Sequence, residues 1–187
     1  DIGETVFVVT ADHGELFGEQ DLLGHNLSLH DGLINVPLVT HGLNTEVGQN
    51  GLIQHIDVMR TLLELAGANT ESVEGVDLRT EQREYAFAQR EPGQFEPYLK
   101  HNPAFDTERY HEPRLTAIRT DESKLLSSNQ KTEFYDLPDE ETNSSVANSN
   151  TATELQSVVH EWLSTAAKPI TEGDDGDFTD AMERQLR

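Results

Sequence analysis

The chain has 187 residues, enough for one domain of ordinary size, and carries a formal charge of −22 from 35 acidic against 13 basic residues. Such a charge repels a phosphate backbone and excludes nucleic acid as a partner. There is no cysteine, so these residues hold neither a disulfide framework nor a thiolate metal site, and no apolar run approaches the roughly 20 residues that a membrane-spanning helix needs.

Hydrophobic residues make up 35% of the chain, which allows a core but a thin one. The acids are spread through periodic apolar segments, unlike the composition of a disordered chain. Lysine occurs only as Lys100, Lys124, Lys131 and Lys168. Dispersed acids with few lysines point to the cytoplasm of a halophile. There self-repulsion is screened, because the Debye length falls to about 3 Å at 1 M salt. No signal peptide opens the sequence. Asp1-Ile2-Gly3 runs almost at once into a strand, without an initiator methionine, as expected of a chain that starts inside a longer protein.

Thr5 to Thr10 is a continuous apolar, β-branched run. Its pattern predicts a strand buried on both faces, as in a parallel sheet. It ends in the polar loop Ala11-Asp12-His13-Gly14-Glu15, and open α/β sheets place their ligands at such carboxyl ends. Phe17 to Leu29 reads as a loop, Leu29 to Ile34 as a short helix, and Val36 to Thr40 as a second strand with Pro37 near its start. Gly42 to Gly51 is a loop. Gln54 to Ala66 has helical spacing at Ile56, Met59, Leu62, Leu63 and Leu65, with Gly67 as its C-terminal stop.

The pattern changes after Leu78. Short strand-like runs follow at Glu84–Gln89, Leu115–Thr120, Lys124–Ser127 and Glu133–Leu137, and a longer loop carries Pro92, Pro97, Pro103 and Pro113. Successive short strands predict an antiparallel subdomain. Ala152 to Ala166 is an amphipathic helix, and Glu172 to Asp180 is an acidic run expected to be mobile. The fold class is therefore α/β, with flanking helices and a small antiparallel α+β unit behind. The expected division is 1–78, 79–170 and an acidic tail, 171–187.

Asp12 and His13 are a carboxylate and an imidazole at adjacent positions on a loop leaving a strand. Together they can reach one divalent ion, and Gly14 lets the chain turn away without a Cβ clash. Further on, His25 follows Gly24. A histidine there can return to the same pocket and protonate a leaving group, since its ordinary pKa of about 6.5 suits that work. Each feature alone is more often structural.

Together the segments carry more. Thr10-Ala11-Asp12-His13-Gly14-Glu15, then Leu23-Gly24-His25, then Ser28-Leu29-His30-Asp31 through Val36-Pro37-Leu38 resemble the sulfatase family of the alkaline-phosphatase superfamily in order and spacing. Three later blocks are similar to family blocks: Gln54 to Gly67, Ala117-Ile118-Arg119-Thr120 with Lys124, and Glu133-Phe134-Tyr135-Asp136-Leu137 with Glu141-Thr142-Asn143. Ala181 to Arg187 is similar to the terminal helix of many members. The family pattern differs at His30, Asn26, Gln54 and Arg60, where it has an aromatic, a glycine, a serine and a proline. Of these, His30 is expected to alter the pocket wall.

The resemblance implies a metal-dependent hydrolase of small-molecule or glycan sulfate esters. Asp12 and His13 would be metal ligands, and His25 would contact the sulfate and assist the leaving group. Lys124 aligns with a family lysine and reads as structural. The metal implied is calcium. An imidazole ligand also admits zinc or manganese, and an oxygen-rich set admits magnesium. The family's C/S-x-P-S-R segment, which supplies a formylglycine nucleophile, does not occur in these 187 residues; it is expected upstream, and the chain by itself is expected to be inactive. Rival readings are a phosphodiesterase, phosphonate hydrolase or phosphoethanolamine transferase of the same superfamily. A rival of another class is a non-catalytic acidic domain that binds cations or a protein partner.

The charge pattern generates the first test. The fold should loosen when molar salt is replaced by dilute buffer, seen as loss of far-ultraviolet circular dichroism. An unchanged spectrum removes the salt-adaptation reading.

Overall fold

A computed structural model describes residues 5–43, 51–140, 143 and 149–165. The expected acidic run at 172–180, the similarity at 181–187 and most of the 42–51 loop lie outside them.

Strand β1 (Phe7–Thr10) pairs antiparallel with β4 (Leu38–His41), Val8 opposite Thr40 and Val9 opposite Val39. Between them lie a small ribbon, β2 (Leu16–Phe17) with β3 (Leu23–Gly24), and the single-turn helix α1 (Asp31–Ile34). The sequence predicts burial on both faces of β1, and the structure corrects this: Val9 is 64% and Val39 62% exposed. The expected parallel neighbours are not found among the described residues. An apolar β-branched run is suited to being covered, and within these residues β4 is the strand paired with it.

Helix α2 (His55–Leu65) starts at Gln54, whose backbone N–H donates to Asp57 Oδ2 at 2.8 Å. It stops at Gly67, whose φ of 70° favours glycine. Asp57 is fully buried, receives the Val76 N–H at 2.8 Å and is gripped by the Arg83 guanidinium. Arg60, where the family has proline, donates to the Val73 carbonyl at 2.7 Å and ties the loop after α2 to the helix.

Strands β5 (Ala86–Arg90), β6 (Leu115–Arg119), β7 (Ser123–Ser127) and β8 (Thr132–Asp136) form one antiparallel sheet in sequential order. Alternation divides its faces. Ile118, Leu125 and Phe134 pack under Ala152, Leu155 and Val159 of α4 (Asn150–Thr165), where Trp162 stacks on Phe87 at 4.5 Å. On the other face Leu115, Ala117, Leu126 and Tyr135 meet Leu29 from the start of α1. The Gln54 amide donates to the Phe87 carbonyl at 2.8 Å and accepts from its N–H at 3.3 Å, so α2 ties to edge strand β5 as a short strand would.

Two stretches expected as loops carry structure. The 91–114 segment holds α3 (Glu96–His101), with Pro97 in its first turn where proline is tolerated, and a 3-10 turn at Thr107–Arg109. Its rings Tyr98, Phe105 and Tyr110 stack at about 5 Å and close over Leu16, Leu22, Leu27 and Leu33. The second stretch is the β2–β3 ribbon itself, closed by a turn with Gly18, Gln20 and Asp21 at positive φ.

Lys124 joins the two halves. Its side chain is wholly buried, and Nζ donates to the Leu29 carbonyl at 3.1 Å, to Asp31 Oδ1 at 3.0 Å and to Glu140. Arg119 also pairs with Asp31, at 3.0 Å, and Glu140 accepts the Asp31 backbone N–H at 2.9 Å. Burial pulls the lysine down to about 8, against the attraction of Asp31. Lys124→Met leaves two carboxylates facing a dry gap and should cost about 3–5 kcal/mol, measured as a lowered urea midpoint at unchanged slope. A loss below about 1 kcal/mol, the range of a surface pair, would show the node to be dispensable.

Candidate metal and leaving-group site

The site is built where β1 ends. Asp12 and His13 follow Thr10 after Ala11 alone, and Gly14 then passes against α1. A Cβ on Gly14 would stand 2.0 Å from the Gly32 carbonyl oxygen, and the Gly14 N–H donates to the Leu33 carbonyl at 2.8 Å. Glycine is required here by close approach of two backbones, not by an unusual φ. The contact stops the loop and fixes the direction in which Asp12 and His13 point.

Asp12 Oδ1 accepts the His13 backbone N–H at 2.9 Å. That bond, and then the His13 ring, hold the carboxyl below its ordinary range. Oδ2 points to solvent from a side chain 90% exposed. His13 Nδ1 lies 2.8 Å from the Gly14 carbonyl. A carbonyl only accepts, so Nδ1 carries the proton and the Nε2 lone pair is outward. The same bond raises the pKa of His13. His13 Nε2 and Asp12 Oδ2 are 3.8 Å apart, a gap that two ligands of one ion can span when each bonds at roughly 2.0–2.6 Å.

His25 comes from the end of β3. Its ring lies 4.5 Å from that of His13, centroid to centroid, tilted by 40°, and its Nδ1 is 3.1 Å from Glu15 Oε1. The structure thus brings Asp12, His13 and His25 together on one open groove, which Thr10 and His55 also line. His55 Nε2 is 3.4 Å from Thr10 Oγ1. Residue order alone gives neither His55 a partner nor Glu15 a role on His25.

His30 departs from its expected place. Its Nδ1 accepts the Gly32 N–H at 2.9 Å and caps α1, and its Nε2 lies 3.8 Å from Glu140. It serves the buried node rather than the pocket wall. Asp31 and Asp57, the other carboxylates near the motif, are already held by Lys124 with Arg119 and by Arg83. Among the described residues no group of three or more His, Cys, Asp or Glu side chains is arranged to hold a metal ion. Asp12 and His13 are a two-ligand set, fit to hold an ion only with further ligands.

Comparison with known proteins bears on the family and the fold. The sequence model of the family described as Sulfatase matches residues 3–68. The low-salt glycan biosynthesis sulfotransferase Agl7 of Haloferax volcanii is 34% identical over 84 residues, covering 42% of this chain and 21% of that protein. Among solved structures, the 2-O GAG sulfatase BT1596 superposes with a TM-score of 0.65 at 18% identity, over 86% of this chain and 36% of that one. The phosphonate monoester hydrolase of Silicibacter pomeroyi gives 0.60 at 21% identity, over 87% and 34%. The chain spans about a fifth of the length of that curated relative and about a third of those structures.

The backbone approach at Gly14 generates a test. Gly14→Ala should force the loop off α1 and cost about 1–3 kcal/mol, the usual range for overpacking, with displaced amide signals at Asp12 and His13. A variant as stable as the parent, with those signals unmoved, would show that the contact does not set the loop. Residues 3–68 are thus similar to the family described as Sulfatase, and the α/β fold of the chain is the one these solved structures share.

Proposed function

We propose that this chain supplies part of the active site of a metal-dependent sulfatase acting on small-molecule or glycan sulfate esters. One observation carries the reading: Asp12 Oδ2, the outward Nε2 of His13 and the His25 ring stand together where β1 ends, inside the segment that matches the family. Asp12 and His13 would hold a divalent ion, calcium by resemblance, which when bound neutralises sulfate charge and activates a nucleophile. The remaining ligands and a formylglycine nucleophile come from outside these residues. The exposed apolar side chains of β1 and β4 are where the rest of such a domain would pack.

In this reading His25 donates a proton or hydrogen bond to the bridging oxygen as the alcohol departs. Its position beside His13, rather than across the groove, suits that role, because the ester must lie against the ion and the acid at once. The similarity to a phosphonate monoester hydrolase of about equal TM-score keeps phosphonate esters as the second substrate class, since the charge to be neutralised is of the same kind.

The test uses this chain joined to a segment bearing the C/S-x-P-S-R motif. His25→Ala should lower kcat about 10²–10⁴-fold for esters with poor leaving groups and much less for nitrophenyl esters. Equal losses for both would remove the acid role. Asp12→Ala should abolish turnover and the stoichiometric metal found by elemental analysis. Retained metal would place the ion elsewhere, and many weak ions in place of one would favour a charged, non-catalytic surface.

A further inference from the structure

We infer that Glu15 is a positioning residue for His25, and that the β2–β3 ribbon exists to set the two opposite each other. This deepens the reading of His25 as the leaving-group acid and rests on it. The ribbon pairs Leu16 with Gly24 and Phe17 with Leu23. Continuing that register by one step places Glu15 opposite His25. Side chains alternate along a strand. Leu16 is fully buried, so Glu15 falls on the open face with His25. Directly opposed residues have Cβ atoms about 4.5–5.5 Å apart, close enough for a carboxylate to meet an imidazole, and Glu15 Oε1 stands 3.1 Å from His25 Nδ1.

Three features hold the pair. Leu16 and Leu22 anchor the ribbon in a cluster with Leu27, Leu33 and Tyr110. Gly24, at φ 97°, carries no side chain, and a Cβ there would lie 3.6 Å from the Glu15 carboxylate. Arg109 pairs with Asp21 at the turn and fastens it to the chain after α3. Both members of the pair are about half exposed, and exposed ion pairs contribute little to stability. The contact's consequence is therefore chemical rather than structural. A carboxylate only accepts hydrogen bonds. Facing Nδ1, it fixes the neutral ring as the Nδ1–H tautomer and turns Nε2 toward the groove beside His13. Every proton exchanged with a substrate then passes through Nε2, the one ring nitrogen not already bonded.

The tautomer is directly observable in this chain without turnover. Two-bond ¹H–¹⁵N correlation of the imidazoles in alkaline buffer, with His25→Gln to assign the ring, should show His25 with a protonated Nδ1 and a pyridine-like Nε2. Glu15→Gln, whose amide oxygen still accepts, should keep that pattern. Glu15→Leu, of similar size without an acceptor, should lose it and move the proton to Nε2. A wild-type ring protonated at Nε2, or a pattern unchanged in Glu15→Leu, overturns the inference. Failure of the leaving-group test would leave this result standing, so the two readings are separable.

Discussion

One buried ammonium sets the relation between the two parts of this molecule. Lys124 is closed off from bulk solvent, and its partners are drawn from distant stretches: the Leu29 carbonyl just before α1, Asp31 at its start, and Glu140 beyond β8. Buried charge is tolerated only when paired and hydrogen-bonded, so the C-terminal sheet has one admissible position against α1. The consequence runs forward. α1 carries the Gly32 and Leu33 carbonyls against which Gly14 rests, and Gly14 is where the loop bearing Asp12 and His13 turns. A lysine far along the chain thus reaches the site through three successive contacts of charge, helix and backbone.

Much of this was legible in residue order. The helix over 54–66, the short helix before Val36, four antiparallel strands after Leu78 and the final amphipathic helix are all found within a few residues of their expected limits. Local periodicity decides them. The β2–β3 ribbon escapes periodicity. Leu16-Phe17 and Leu22-Leu23 flank a polar turn symmetrically, a visible hairpin signal, but two-residue strands fall below any period. α3 is hidden by Pro97, although proline in a first turn is permissive. The apolar run at β1 did signal a strand, but the cover that such a run implies is a property of neighbours rather than of the strand.

The candidate site was legible in part for a related reason. Asp12, His13 and His25 could be named from motif order, because each lies at an element's end where the backbone sets direction. Glu15 could not be given its role, since that depends on the ribbon's register. The function of His30 also depends on fold: at the same position in the motif an aromatic would make contact by packing, whereas His30 caps α1 with Nδ1 and faces Glu140 with Nε2.

In a chain with 35 acidic residues, a carboxylate near a motif means little until its lone pairs are accounted for. Asp57 is fully buried, and its oxygens take bonds from Gln54, Val76 and Arg83. Asp31 is saturated by Lys124 and Arg119, and Glu15 is turned to His25. Asp12 differs in kind. One oxygen is tethered by the next residue's N–H, which fixes the direction of the carboxylate, and the other faces the groove. Tethering without saturation is what a ligand needs: a free carboxylate would pay for its own ordering on binding, and a saturated one has nothing left to offer. His13 repeats the arrangement, with Nδ1 bonded to its own loop and Nε2 outward. Adjacent residues that each hold one end and present the other are a stronger sign of a site than acidity, exposure or proximity alone.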